Sequence, residues 1–541
     1  MVEEWYRAKE KDIQYPRELV LGEILRRNAE RYPDRPAVVY RNRRHTYEEF
    51  NARVNRMANS LITLGIKKGD CIGVFAHNSD CYVEAAMAIA KAGGIFIPIN
   101  FRLVGHEVEY ILTFNEAVAV FVDAPLLDVI TGISDRLRTR HVIVMRSDGA
   151  LPPDMLRYEG LLDSAADREP DIDVWEGDLV GLAQTGGTTG RPKGVLFSHR
   201  HIGGILYQIC FIHNYREEDH GLHAMPSYSS AGIAYDWGAT LFHGGTLFIA
   251  PLPPFDPVGI LEIIDRERIN HMTMAPIMID FINAFLEASP GKYDVSSVRT
   301  LVSVGAPTPQ RTREKAVHLF GPGVLYVEYS ATEMGVATCL KPNEVLKYPG
   351  SCGRTALGQE VKIIDMNGRD LPRNQVGEIC VAGPMVTRGY NKNPEANRQA
   401  FHDRFMGIGD MGYMDDKGYV YIVDRKSDMI ISGGMNIYPA EIEAVMIGHP
   451  VIAEIAVIGV PDEKWGESVK AIIRLEPGKT STAREIIEWC RGKMAGYRIP
   501  KSVDFVDDFP RTAIGKVQKS VLRKKYRDES TDRTHPGIAE D

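Results

Sequence analysis

Over roughly the first four hundred residues, segments of helical period alternate with short β-rich runs, a pattern that few folds accommodate. Residues 52–64 and 82–92 read as helices, and residues 71–75, 117–122 and 141–144 as strands. Residues 246–249, 260–268, 272–275 and 301–304 continue the alternation. Strands separated by helices imply parallel sheets covered by helices, because a parallel connection needs a crossover long enough to hold a helix. Further on, residues 361–365, 377–381 and 419–423 read as strands broken by turns such as Asn367-Gly368, which predicts a small antiparallel β-barrel. The pattern restarts after Arg425. Pro439 opens a helix over 440–447, strands follow at 455–460 and 469–475, and Ser481 caps a helix over 483–494. The expected fold is α/β: a large N-terminal domain of parallel sheets covered by helices plus the barrel, then a small α+β C-terminal domain. There is no internal repeat, and the polar residues after Arg527 are expected to fray.

A chain of 541 residues exceeds one ordinary domain, so two or more cores are expected. A hydrophobic fraction of 44% with 25% charged residues is that of a soluble globular protein. The net charge of −8 provides no face-wide basic excess for nucleic acid. The basic run at 523–527 reads as the solvated face of a last helix. The N-terminal residues lack the apolar core of a secretory signal. The longest apolar stretch, residues 85–99, is broken by Lys91 and too short to span a bilayer. Seven cysteines lie scattered with no Cys-x-x-Cys pair, so neither a disulfide framework nor a zinc site is expected, and a reducing cytoplasm is the simplest setting. His199-Arg-His201 has ligand-like spacing, a pair that would share one strand face. Without a nearby third ligand it reads as a solvated face, and no structural metal is implied. Oligomeric state is left open, with a homodimer among the options.

Residues 185–194, Thr-Gly-Gly-Thr-Thr-Gly-Arg-Pro-Lys-Gly, suit a nucleotide's phosphates. Gly186, Gly187 and Gly190 let the backbone fold tightly and turn its N–H groups toward an anion. Thr185, Thr188 and Thr189 add hydroxyl donors, and Lys193 adds a cation. Apolar runs at 180–183 and 195–197 enter and leave the loop as strands would, whereas a flexible linker would not sit between two strands. The spacing is not that of a Walker loop, since Gly194 follows Lys193 where Ser or Thr would be needed. Residues 407–412, Gly-Ile-Gly-Asp-Met-Gly, imitate a dinucleotide fingerprint, but a turn and strand follow them instead of a helix.

The loop resembles the phosphate-binding signature of the adenylate-forming superfamily, which includes acyl- and aryl-CoA synthetases. Further motifs follow in that family's order: His45-Thr-Tyr-Glu-Glu-Phe50, Lys91-Ala-Gly-Gly-Ile-Phe-Ile-Pro98, Tyr329-Ser-Ala-Thr-Glu333, Gly377-Glu-Ile with Gly389-Tyr390, and Gly409-Asp-Met-Gly412. Asp424-Arg-Lys-Ser-Asp428, Ser432-Gly-Gly434 and Pro510-Arg-Thr-Ala-Ile-Gly-Lys516 complete the set. The resemblance divides the chain into an ATP- and acid-binding domain, 1–426, and a mobile domain, 427–541, with its hinge at Ser427, where many relatives carry a charged residue.

Adenylation joins a carboxylate to the α-phosphate of ATP, so positive charge must gather around two anions. The resemblance assigns this to Lys516, which follows a glycine turn. It makes Glu333 the Mg2+ ligand, a hard oxygen suited to a cation carrying phosphates. It also makes Thr332 a donor to the α-phosphate and Tyr329 a flat face for adenine. Glu328, Ser330 and the loop Gly305-Ala306-Pro307 complete the adenine surroundings. Val327 stands where relatives often use a polar side chain, so the adenine amino group must be met by backbone or elsewhere. Asp410 and Arg425 would bind the ribose hydroxyls.

By the same resemblance, Tyr228, Ser229, Tyr235, Trp237, Ser303 and Met334 shape an acyl pocket. Ser229 replaces a histidine common in relatives, so that residue's role does not carry over. The apolar surface favours a hydrophobic acid over acetate without choosing an aryl, alicyclic or fatty chain. Gly433 and Gly434 would line a pantetheine tunnel, and Trp465, Tyr497, Arg498 and Lys501 would hold the nucleotide of coenzyme A by stacking and charge. A partly buried core tryptophan is the competing reading of Trp465.

The resemblance thus implies an ATP-dependent acid–CoA ligase that forms an acyl-AMP and then the thioester, using ATP, Mg2+ and coenzyme A. Two rivals stay open at this point: an adenylating enzyme with another acceptor such as a carrier protein, and a non-catalytic nucleotide-binding protein.

Overall fold

The computed structural model describes residues 19–185, 193–432, 435–462, 464–511 and 517–532. The chain forms two compact units, one from residues 1–360 with 381–399 and the other from 361–380 with 400–541.

The first unit holds two sheets. One has the strand order Met155–Arg157, His141–Met145, Ala119–Asp123, Cys71–Phe75, Ile95–Ile99, Leu179–Thr185 and Lys193–Ser198. Its neighbours run parallel except for the last pair. Its two strands are the ones expected from the apolar runs on either side of the Gly/Thr loop, and the structure pairs them antiparallel. In the other sheet the parallel strands Leu325–Ala331, Thr300–Ser303, His271–Met274, His220–His223, Thr246–Ile249 and Pro36–Tyr40 lie side by side. Central strands read almost wholly apolar because both faces are covered. Ile95–Ile99 and Ala119–Asp123, for example, are buried throughout.

Two motifs in this unit are building devices. In the first, Thr46 and Glu49 form a reciprocal capping box: the Glu49 N–H donates to Thr46 Oγ1 at 3.2 Å, and the Thr46 N–H to Glu49 Oε2 at 2.9 Å. This satisfies two N–H groups at the start of helix Tyr47–Thr63 and turns Tyr47 and Phe50 into the core. In the second, Lys91 ends helix Asp80–Lys91 inside the protein. Its ammonium donates to Asn51, Asn55 and Glu169 at 2.6–2.7 Å, a full set of partners for a buried charge.

In the second unit the strands Glu360–Ile364, Gly377–Ala382, Phe405–Met414 and Tyr419–Arg425 are neighbours in that order. A further sheet has the order Met435–Ile437, Ile430–Ser432, Gly466–Leu475 and Ile452–Asp462, with Ser502–Phe505 added in parallel to Gly466–Leu475. Side chains alternate across it. Val457, Val469, Ala471 and Ile473 meet helices Pro439–Met446 and Ala483–Trp489, whereas Ala456, Ile458 and Ile472 meet Phe509, Leu522 and Tyr526.

Two local expectations need correction. Thr482, not Ser481, caps helix Ala483–Trp489, because its hydroxyl accepts from the Glu485 N–H in a second capping box. That helix also stops short of residue 494, before Gly492, whose φ is +74°. His199 and His201 do not share a solvated strand face. They open helix His199–His213 and are buried, at 1% and 6% exposure. His199 Nδ1 accepts from the Leu21 N–H at 3.1 Å, and His201 Nε2 bonds the Met385 carbonyl.

Candidate active site

The hairpin that carries the Gly/Thr loop ends in the register pair Thr185 and Lys193. Residues 186–192, including Gly186, Gly187, Thr188, Thr189 and Gly190, lie outside the described residues, as do Gly433, Gly434 and Lys516. Beside the hairpin stands Glu333, 7% exposed. Its Oε1 accepts from the Tyr390 hydroxyl at 3.0 Å and lies 3.5 Å from Thr185 Oγ1. Lys193 Nζ sits 4.9 Å from the centre of the Tyr390 ring. Three distant sequence segments thus bring a carboxylate, two hydroxyls and an ammonium together.

Tyr390 reaches this place because of the glycine before it. Gly389 has a φ of +123°, and a Cβ there would lie 2.6 Å from Asn397 Oδ1. That same oxygen accepts the Tyr390 N–H at 2.7 Å. The sequence motif marked Gly389-Tyr390 but assigned it no task.

Strand Leu325–Ala331 separates its side chains by parity. Glu328 spends its carboxylate inside the protein, accepting from the Tyr235 hydroxyl at 2.7 Å and facing His213 Nε2 at 3.1 Å. Only its backbone remains for a nucleotide, which narrows the part that the resemblance gives Glu328 in the adenine surroundings. Val327 and Tyr329 are buried, Ser330 is half-buried, and Thr332 Oγ1 lies 2.9 Å from Ser230 Oγ. Gly305, with φ +86°, and Pro307 are exposed in the turn before helix Gln310–Phe320.

The segment around Tyr228 is held by a buried polar network. His223 bonds Asp236 at 3.0 Å and Ser227 at 2.7 Å, and the Ser227 N–H donates to Asn78 at 2.8 Å. Serine, histidine and aspartate here stand in the order of a hydrolytic triad. All three are at most 1% exposed, so no ester or thioester can reach the serine, and the network fixes the loop instead. Ser229 caps the adjoining turn, donating to the Pro226 carbonyl and accepting the Gly232 N–H at 3.0 Å. The π-helical segment Gly232–Gly238 then buries Tyr235 and Trp237. Tyr228 is half-buried, with its ring edge-on to Phe101 at 5.5 Å. Met334 is fully buried, and Ser303 Oγ lies 2.8 Å from Thr308 Oγ1. Asn78 escaped sequence reasoning because Ser227 lies 149 residues away, and His223 and Asp236 because 13 residues separate the strand that holds one from the helical segment that holds the other.

In the second unit, Asp410 and Arg425 face each other as register partners across two antiparallel strands, with Arg425 Nε 3.0 Å from Asp410 Oδ1. Ser427 occupies the turn after this strand, and its neighbours are tethered. Asp424 accepts the Ala440 N–H at 2.9 Å, and Asp428 pairs with Arg523 at 2.5 Å.

Trp465 is 45% exposed, with Lys464 Nζ 4.8 Å from its ring, so it is not a core tryptophan. Tyr497 is 38% exposed, with the Arg498 guanidinium 5.5 Å from its ring centre. Arg498 also pairs with Glu441 at 2.9 Å. The exposed Lys501 joins the sheet through its backbone N–H to the Val469 carbonyl at 2.8 Å. Among the described residues no hydrogen bond, ion pair or ring contact links Trp465 to these three.

The family model of the AMP-binding enzyme matches residues 25–391, and that of the AMP-binding enzyme C-terminal domain matches residues 441–516. The chain belongs to the AMP-binding enzyme family. This AMP-binding enzyme is 33% identical over 509 residues to the feruloyl-CoA synthase of an Amycolatopsis species, covering 94% of this chain and 99% of that protein. It is 34% identical over 518 residues to the long-chain-fatty-acid–CoA ligase FadD13 of Mycobacterium tuberculosis, covering 94% and 98%. ATP-bound MatB from Rhodopseudomonas palustris superposes with a TM-score of 0.84 at 30% identity, covering 94% of this chain and 99% of that one. The AMP-binding enzyme described here is an AMP-forming acid–thiol ligase, which uses ATP to make an acyl-AMP and coenzyme A to accept the acyl group. No helix among its described residues is long and apolar enough to cross a membrane.

Proposed function

We propose that the acid is hydrophobic and that it lies along the segment from Tyr228 to Trp237, next to the end of strand Leu325–Ala331. The observation that carries this reading is the 2.9 Å contact between Ser230 Oγ and Thr332 Oγ1. It seats an apolar segment beside the residues that would hold the α-phosphate. The half-buried Tyr228 ring, edge-on to Phe101, offers aromatic surface there, and Trp237 and Met334 fill the interior of the same segments, with the Arg102 guanidinium beside the Tyr228 hydroxyl at the rim.

In the first half-reaction the substrate carboxylate attacks the α-phosphorus. A C–O–P linkage forms, the bond to the β-phosphate oxygen breaks, and pyrophosphate leaves. Lys516 neutralises the charge shared by carboxylate and α-phosphate, and Thr332 donates to an α-phosphate oxygen. Lys193 and the loop from Thr185 to Gly190 receive the outer phosphates. The Glu333 carboxylate and Thr185 hydroxyl are hard oxygen donors that fit Mg2+, which when bound offsets phosphate charge. Tyr329 stacks on adenine, and Asp410 and Arg425 take the ribose.

In the second half-reaction residues 427–541 turn about Ser427. Gly433 and Gly434 admit the pantetheine arm, and the thiolate attacks the acyl carbon with AMP as leaving group. The exposure of Trp465 and Tyr497 supports their use as stacking faces for the coenzyme's nucleotide, with Arg498 and Lys501 beside its phosphates.

The test is pyrophosphate release across a panel of carboxylic acids, with thioester mass as second readout. Hydrophobic acids should lead the panel. Best turnover with acetate or a dicarboxylate would reject the assigned acid class.

A further inference from the structure

Sequence spacing implies no structural metal, yet folding gathers Asp219, His243 and His271 so that one ligand atom from each lies within 4.8 Å of the others. Asp219 stands just before strand His220–His223, His243 ends helix Ala239–His243, and His271 opens strand His271–Met274. Asp219 and His271 are each 2% exposed. Buried nitrogen lone pairs normally find a donor. Here the Nε2 atoms of both His243 and His271 are buried with no hydrogen-bond partner among the described residues.

The tautomer of His243 is fixed by its other nitrogen. Nδ1 lies 2.6 Å from the Ala239 carbonyl, which can only accept, so Nδ1 carries the proton and Nε2 a free lone pair. An imidazole oriented by a backbone carbonyl is the usual support for a metal-ligating histidine. The Asp219 carboxylate is likewise held, by the Arg216 N–H at 2.9 Å and by the Arg299 guanidinium. His271 is clamped by Tyr215, stacked at 3.8 Å.

Two glycines make room for the rings. A Cβ at Gly221 would lie 2.4 Å from His271 Cε1 and 2.8 Å from its Nε2, and one at Gly245 would lie 2.7 Å from His243 Nε2. Neither glycine has a left-handed backbone, so crowding is what requires them: Thr240 Oγ1, 2.3 Å from the added Cβ, shares the space beside Gly221 with His271, and the Asp219 carbonyl, at 2.7 Å, shares that beside Gly245 with His243.

We propose that Asp219, His243 and His271 form a buried site for a divalent transition metal of the zinc class, separate from the magnesium that accompanies ATP. Two imidazole nitrogens and a carboxylate oxygen are a donor set that such ions take in tetrahedral geometry. Ligands about 2 Å from one ion lie roughly 3.3 Å apart, so small side-chain rotations close the site. A bound ion would tie two strands and a helix of one sheet layer together and stabilise the native state.

The test uses the full-length protein, nucleotide-free and stripped with a chelator, then titrated with Zn2+ and with Co2+. One ion per chain, cobalt d–d bands of a tetrahedral site without thiolate charge transfer, and a melting temperature raised by several degrees with zinc are expected. His243→Gln and His271→Gln should lose the cobalt bands and the thermal shift. If wild type shows neither, or both variants bind as wild type does, the site is a water pocket or an ordinary packing cluster and the proposal fails. If a variant does not fold, zinc-edge absorption on wild type decides: nitrogen and oxygen neighbours support the site, and a sulfur shell overturns it.

Discussion

The Tyr390 hydroxyl donates to Glu333 Oε1 at 3.0 Å while the face of its ring lies 4.9 Å from Lys193 Nζ, so one buried side chain spaces the carboxylate from the ammonium. Tyr390→Phe keeps the ring and removes the donor. Hydrogen bonds to a charged group contribute about 1.5–3 kcal/mol, so kcat/KM for MgATP should fall about tenfold to a hundredfold. Melting temperature should also drop by a few degrees at most, since the same buried bond is lost from the folded state. Pyrophosphate release measured against MgATP concentration checks this, and an unchanged kcat/KM would remove Tyr390 from the site.

Lys516→Ala should abolish adenylate formation by a factor on the order of 10²–10³ or more, the loss typical when a group stabilising developing charge is removed. Acyl-AMP supplied to the variant should still give thioester, because the proposed mechanism gives the lysine no part in thiol attack. Assaying the two half-reactions on one preparation separates this outcome from general misfolding.

Tyr228 is the half-buried member of the proposed acyl wall, packed edge-on against Phe101. Tyr228→Ala should enlarge the site and raise the preference for bulkier acids about 10–200-fold, the range a hydrophobic pocket commands per methylene or two. KM for ATP should hold. Ser229→Ala should lower stability by about 1 kcal/mol, since that hydroxyl caps a turn. Equal losses across all acids in the Tyr228 variant would move the pocket elsewhere.

Trp465, at 45% exposure, has little packing to lose. Trp465→Ala should therefore raise KM for coenzyme A several-fold through lost stacking, and leave acid-dependent pyrophosphate release and melting temperature near wild type. Parallel loss of both half-reactions would argue for a scaffolding role.

Burial pushes the His199 imidazole down to about 4, from an ordinary 6.5. Its Nδ1 accepts a backbone N–H, which a protonated ring cannot do. Between pH 6.5 and 4 the unfolded chain binds the proton and the folded one does not, so stability rises with pH across that window. Acidification from 7 to 4 should lower the melting temperature, with a contribution from this residue of up to a few kcal/mol. In His199→Gln, whose amide oxygen still accepts, melting curves should show a shallower slope across this window. An identical slope would assign the acid sensitivity to other groups.

The sequence by itself determined the layers of the fold and the motif set, because helix and strand periods are local and each motif is a short stretch of neighbouring residues. It marked Glu333, Asp410 and Arg425, and it placed the strands that flank the Gly/Thr loop. Tertiary structure decided what those motifs do. His45 to Phe50 turns out to hold a capping box, and Lys91 a buried ammonium fully satisfied by three partners. Glu328 differs from Tyr329 by one position and faces the opposite side of its strand, a distinction that matters only once His213 and Tyr235 are in place. Asp219, His243 and His271 carry no spacing signal at all, since three separate elements deliver them. Hydrogen bonds within a turn of helix are written in neighbouring residues, whereas those joining residue 185 to 333, or 227 to 78, depend on how whole sheets and helices pack.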